Sequence, residues 1–511
     1  MFRFILLIII ILNLPITGSS QPWPKIYGNN ISGNIFSMIE DYDKAVICAG
    51  QINSGALFSR WGWLIKSDMN GEVLWEKTLG GTYLTTLSKI TNTTDSGKII
   101  AASTTKYSDN QSKFDAAFIK LNVCGEIEWC KVLMSPGNNY GVDVIELDNG
   151  DYIGLLKYYG GDITTVRISL VKMDETGEPL WIENLAQDDP GIYNEEGRYL
   201  LHTSDNNYLV AGDCSYGGLK AFWIKTDTTG QQIWDLKWSG FTLSASSQTV
   251  EAPGGGRFYA TGAAAGNGHP ISPSLFKFDI HGNTIYQQYL LGDTIDGGES
   301  WSLCQYNDTT LLHGIDWSEP GSGVGEGICE ILMTDTLGNL LNRKFLLEST
   351  VSPDCIIKTF DDKIMVVSNY YDGNWDVYLW KLNANLENDS LYTQPFTYDS
   401  LCPYPIISDT IDLNCSLHVN INEIPVKTAY ERLMKIYPNP AFDVLHFDFR
   451  HLNENCCLSI IDVFGREVLK LSISKDQEHE HINISGFPRG IYFALLKNKK
   501  NKMASENFVV Q

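Results

Sequence analysis

Seven times this chain writes an apolar residue, Lys, any residue, Asp, two residues, Gly, three residues and Trp, or an eroded copy of that pattern. The full copies are anchored at Asp68, Gly71 and Trp75, at Asp174, Gly177 and Trp181, and at Asp227, Gly230 and Trp234; another puts Asn122 in the acidic place, with Gly125 and Trp129. Weaker copies stand at Asp279 and Gly282 with Tyr286 in place of Trp, at Asp335 and Gly338, and at Asn383. Successive anchors lie 54, 52, 53, 52, 56 and 48 residues apart. A period near 50 residues defines a unit too small to bury its own apolar face, so the units must stack as an array.

Each unit reads as four short strands. In the fourth unit, for instance, Tyr208-Leu209-Val210-Ala211-Gly212 is followed by a polar loop and by Ala221-Phe222-Trp223-Ile224-Lys225. The Asp-x-x-Gly turn then reverses the chain into the strand that carries Trp. No helical period competes, so the pattern predicts an all-β fold, a seven-bladed β-propeller over 21–388. The anchor residues have folding roles. Asp bonds backbone N–H groups a few residues on, Gly supplies a positive φ, and Trp fills the gap between wedge-shaped blades. The seventh unit has Ser390 where Trp is due, while Trp23-Pro24-Lys25-Ile26-Tyr27-Gly28 copies the Trp75-Glu76-Lys77-Thr78-Leu79-Gly80 strand. The N-terminal strand is therefore expected to complete the last blade and tie the ring shut.

The two ends carry other signals. Arg3, an apolar run from Phe4 to Leu14, and the small residues Gly18, Ser19 and Ser20 predict a signal peptide over 1–20. The apolar run is too short for a membrane span, and none is expected elsewhere. From 433 to 511 the chain alternates in short runs split by Gly, Pro and Asn, as a small Ig-like β-sandwich does. Its motifs are Tyr437-Pro438-Asn439-Pro440, Asp462-Val463-Phe464-Gly465, Phe487-Pro488-Arg489-Gly490-Ile491-Tyr492, and a terminal apolar strand. In these it resembles the type A C-terminal sorting domain of the type IX secretion system of Bacteroidetes. The terminal Gln511 departs from the basic residue common there. The resemblance implies export, engagement of the type IX machinery, and a secreted or surface-attached product.

The formal charge is −23. From Lys435 onward, 10 basic residues meet 9 acidic ones, which leaves the array and its linker near −24. Such a surface repels nucleic acid and anionic lipid, and suits cations, neutral glycans or proteins. The 11 cysteines are an odd number for an exported chain. Cys402 and Cys415, within a linker over 389–432, are the expected disulfide; Cys124 and Cys130 straddle a hairpin and offer a second pair. No Cys-x-x-Cys supports a zinc ribbon or redox site.

No catalytic motif stands out. Gly and Trp fall three and seven residues after Asp, too far for the sialidase Asp-box, and the Arg residues form no evident triad. The turn is likewise not that of quinoprotein dehydrogenases. A glycosidase would need two facing carboxylates, for which Asp213, Glu299 and Asp316 are the candidates. His479-Glu480-His481 puts two imidazoles on one strand face without a third ligand. No cofactor is expected; calcium at an acidic inter-blade site is compatible with the charge. The expectation is thus a non-catalytic binding or adhesion module for a glycan or protein, with a glycan hydrolase as the alternative.

Overall fold

The structure, a computed structural model, describes residues 23–510 apart from 29–30, 54–59, 82, 109–112, 136, 160–165, 186–193, 216–217, 239–242, 267–268, 291–296, 319–326, 349–352, 372, 419–433, 439–440, 450–451, 453–454, 463–465, 476 and 498–501. The signal segment and Asn439, Pro440 and Gly465 of the sorting motifs lie outside the described residues.

The chain divides into two compact units, with the break before Pro425. The first unit is a β-propeller, and its described residues form seven antiparallel sheets. Numbered in chain order, they span 33–79, 85–133, 139–184, 195–237, 243–289, 297–348 and 355–382. Each inner strand packs on the sheet before it, and the inner strand of sheet 1, Gly33–Glu40, packs on all three strands of 355–382. Ile35 N donates to Asn369 Oδ1 at 2.7 Å across that closing seam. The fourth strand of sheet 7 is Lys25–Tyr27, paired with Val377–Leu379. The N-terminal strand therefore sits where its likeness to the Trp75 strand placed it, and Trp23 is buried at 4% exposure.

The repeat anchors act as a relay between sheets. Oδ1 of Asp68 accepts from Asn70 N and Glu72 N, both at 2.8 Å. Asn122, Asp174, Asp227, Asp279, Asp335 and Asn383 make the same pair of bonds. The residue three after each anchor takes a positive φ, from 72° to 84° in the six glycines and 62° at Leu386 in the seventh copy. A Cβ on Gly177 would stand 2.7 Å from the ring of Trp129, one on Gly230 2.8 Å from Trp181, and one on Gly71 3.0 Å from Trp23. Each of these three aromatics thus packs against the turn of the next sheet. The Lys of the repeat, whose role the pattern did not disclose, reaches back to the acid of the preceding turn. Lys66 meets Asp43 at 2.7 Å, Lys120 meets Asp95 at 2.7 Å, Lys225 meets Asp205 at 2.6 Å and Lys381 meets Asp361 at 2.8 Å.

The expected linker departs from the prediction. Residues 389–418 lie against the propeller as a strap. Asp409–Ile411 adds a parallel strand to the edge of sheet 1, and Ser416–His418 adds one to the edge of sheet 2. This overturns the Cys402–Cys415 pairing. The disulfides are Cys124–Cys402 and Cys130–Cys415, with Cα–Cα distances of 5.6 and 4.5 Å. The reason is register: Ser416 pairs with Lys131, which sets Cys415 beside Cys130. Lys66 adds a buried tie, its ammonium meeting strap residue Asp399 at 2.6 Å.

The second unit is a sandwich of a three-stranded and a four-stranded antiparallel sheet. Leu445, Phe447, Leu458, Ile460, Tyr492 and Phe508 fill the space between them.

Candidate functional site

Six inner strands carry a β-bulge midway, at Ile35/Ser37, Leu87/Lys89, Gly141/Asp143, Gly197/Tyr199, Ser246/Gln248 and Ser300/Ser302. A bulge re-aims the side chains around it. The residue just past the bulge ties three sheets to the next: Ser37 Oγ accepts from Ile90 N, Asp143 Oδ2 from Leu200 N and Gln248 Oε1 from Leu303 N. In sheet 4 the extra residue is Arg198.

Toward the start of the inner strands, sheets 4 and 6 bring together the acids that the sequence offered as a hydrolytic pair. Asp213 lies opposite Glu196 in register, and Glu299 lies opposite Asp316. Arg198 Nε donates to Asp213 Oδ1 at 2.5 Å, and Lys157 Nζ meets Glu196 Oε1 at 2.9 Å. Asp213 is 4% exposed, whereas Glu299 and Asp316 are part-exposed. Burial, reinforced by the charge of Glu299, pushes the Asp316 carboxyl up to about 7. Burial also raises Glu299; the Arg198 charge pulls against that rise and Asp213 adds to it. Asp213 is raised by burial too, with Arg198 opposing. Burial works against the charge of Arg198 itself, but Asp213 outweighs it and the guanidinium is held charged. One carboxyl that carries its proton near neutrality therefore sits beside another, with a fixed cation between the sheets. That is the separation of roles that acid–base chemistry needs.

At the other end of the inner strands of sheets 1 to 4 lies a cavity of about 430 Å³ whose lining mixes apolar residues with Lys89, Asp143, Glu146, Tyr199 and His202. The Lys89 ammonium rests over the Tyr199 ring at 4.8 Å.

Sequence reasoning named Asp213, Glu299 and Asp316 without a means of joining them, and gave Arg198 and Glu196 no part. The available signal was Glu195-Glu196-Gly197-Arg198, an opening with three charges to an inner strand whose counterparts carry one charge or none. The turn anchors contribute nothing to this cluster, because their carboxylates are spent on their own backbones. In the second unit Tyr492 is buried and donates to Pro488 O at 2.7 Å. Gly490 takes φ 155°, and Tyr437 stacks on His446 beside Pro438. Among the described residues no helix is long and apolar enough to cross a membrane.

Residues 435–511 match the family described as the secretion system C-terminal sorting domain. The chain ends in a type IX sorting domain. It is thus a secreted protein of the Bacteroidetes type, sent to the cell surface or the surroundings, and its sorting domain engages the type IX machinery. No curated protein sequence matches the chain. Among solved structures, a polysaccharide lyase of family PL25, an ulvan lyase, aligns over 70% of this chain and 95% of its own at 10% identity and a TM-score of 0.45. An α-L-arabinanase of Penicillium chrysogenum, complexed with arabinobiose, aligns over 57% and 94% at 9% identity and a TM-score of 0.41. A Dyadobacter fermentans protein of unknown function aligns over 58% and 94% at 13% identity and a TM-score of 0.39.

Proposed function

We propose that the exported propeller is a glycan hydrolase whose centre is Asp316, Glu299 and Asp213, with Arg198 as their positioning cation. The observation that carries this reading is the carboxyl of Asp316, pushed up to about 7 beside the part-exposed Glu299. Asp316 serves as the general acid that protonates the leaving oxygen, and Glu299 as its partner carboxyl across the scissile bond. Arg198, bonded to Asp213, opposes the rise that burial imposes on Asp213 and Glu299. The binding-only reading draws on the lack of a catalytic motif and on the acidic surface charge, and a ligand-binding surface does not require desolvated carboxylates.

The test is the full chain incubated with a panel of neutral and acidic polysaccharides, read by release of reducing ends. A hit should lose turnover by about 100-fold or more in Asp316→Asn while glycan binding persists. Binding to a glycan without turnover by the wild type would return the protein to the non-catalytic class. Deleting 435–511 should leave the chain in the periplasm, and normal release of the truncated protein would contradict the sorting role.

A further inference from the structure

The strand pair of the sorting domain supplies what His479-Glu480-His481 lacked in sequence. In the three-stranded sheet, Val444–Phe449 pairs antiparallel with His479–Asn483, so that His446 lies opposite His481 and Asp448 opposite His479. Alternation along each strand puts all four on one face. Leu445, Phe447 and Ile482 point into the core, while His446, His479 and His481 are exposed and Asp448 is part-exposed. The four side chains mark the corners of a two-by-two block, with directly opposed Cβ atoms about 5 Å apart. We propose that this face is a divalent transition-metal site of the zinc class, with His446, His479 and His481 as ligands and Asp448 as the fourth ligand or the carboxylate that orients His479.

Donor chemistry favours this assignment. Two imidazoles at alternate positions of one strand and a third across the ladder make a three-histidine set, which suits Zn²⁺, Cu²⁺ or Ni²⁺ and leaves a fourth position for carboxylate or water. His479 Nδ1 already lies 2.8 Å from Asp448 Oδ1, the contact by which carboxylates orient ligating histidines. Tyr437 buttresses the block, with its hydroxyl 3.1 Å from Asp448 Oδ1 and its ring stacked on His446 at 5.3 Å. Among the described residues no three donor side chains converge on one point. Binding therefore requires the exposed imidazoles to turn toward one another about their own χ angles.

The experiment is a titration of the metal-stripped full chain with Zn²⁺, followed by Co²⁺ substitution to read coordination by its visible spectrum. One ion per chain is expected, with a tetrahedral cobalt spectrum. His446→Ala and His481→Ala should each weaken binding at least about tenfold, and His202→Ala, in the propeller, should not. Absence of saturable zinc binding by the wild type, or equal binding by the His446→Ala/His481→Ala double variant, overturns the proposal. These side chains are exposed, so a circular dichroism spectrum matching wild type keeps the variants interpretable.

Discussion

The Asp316 carboxyl has a consequence for stability that runs opposite to the usual surface acid. Its folded-state value of about 7 lies above the ordinary 3.8. The folded protein therefore binds this proton more tightly than the unfolded chain does between those values. The favourable contribution is present at low pH and lost as pH rises toward 7, above which the fold carries the full cost of a desolvated charge. Each tenfold difference in proton affinity between the folded and unfolded chains is about 1.4 kcal/mol, and partial exposure reduces the total to about 2 kcal/mol. Asp316→Asn should thus raise the unfolding midpoint at pH 8 and change it little at pH 4, while activity on the substrate is lost. An equal change at both pH values would show that this carboxyl titrates in the fold as it does in the unfolded chain. Glycines offer a second test at this scale. Gly150 and Gly177 have nearly the same φ, 84° and 79°, but a Cβ meets nothing within 4 Å at Gly150 and the Trp129 ring at 2.7 Å at Gly177. Gly150→Ala should cost about 1 kcal/mol for the left-handed backbone. Gly177→Ala should cost a further 1–3 kcal/mol or so for the displaced indole, as read by denaturant midpoints.

The Asp-x-x-Gly turns were legible because each is closed by its own residues: Asp174 bonds Thr176 N and Glu178 N, both within the same turn. The strap was not legible, because nothing local says which edge an extended segment will join. Two cysteines 13 positions apart, Cys402 and Cys415, read as partners until pairing with Lys131–Leu133 sets Cys415 beside Cys130 and leaves Cys402 joined to Cys124. The acidic centre falls between these cases. Its acids could be named but not joined, since Glu299 and Arg198 come from sheets 6 and 4 and meet only through the ring. At the element scale the strap is testable. Peptide mapping without reductant should find Cys124 joined to Cys402 and Cys130 joined to Cys415. Cys402→Ser/Cys415→Ser should lower stability by about 2–5 kcal/mol and expose 389–418 to protease. A recovered Cys402–Cys415 peptide would refute this strap.

At the scale of the whole molecule, a ring stands or falls with its seam. In six sheets the four antiparallel strands are consecutive in the chain, but sheet 7 borrows Lys25–Tyr27 from the other end of the chain. Those few ladder bonds are a small part of the hold. Trp23, the closing copy of the repeat aromatic, lies under Gly71 as Trp129 lies under Gly177. Tyr27 donates from its hydroxyl to Gly71 O at 2.9 Å, and the Lys25 ammonium meets Glu72 at 2.8 Å. The closing strand therefore grips sheet 1 as well as sheet 7, and the relay that runs between sheets passes through it. Trp23→Ala should cost about 3–5 kcal/mol. Ile26→Ala, in the closing strand but 49% exposed, should cost under about 0.5 kcal/mol. Because the lost contact lies where the two ends of the array meet, the Trp23 loss should appear first as hydrogen exchange in Trp375–Leu382 and Gly33–Glu40, ahead of the middle sheets. Uniform exchange across all sheets would mean that the ring opens cooperatively and that its seam is no weaker than any other junction.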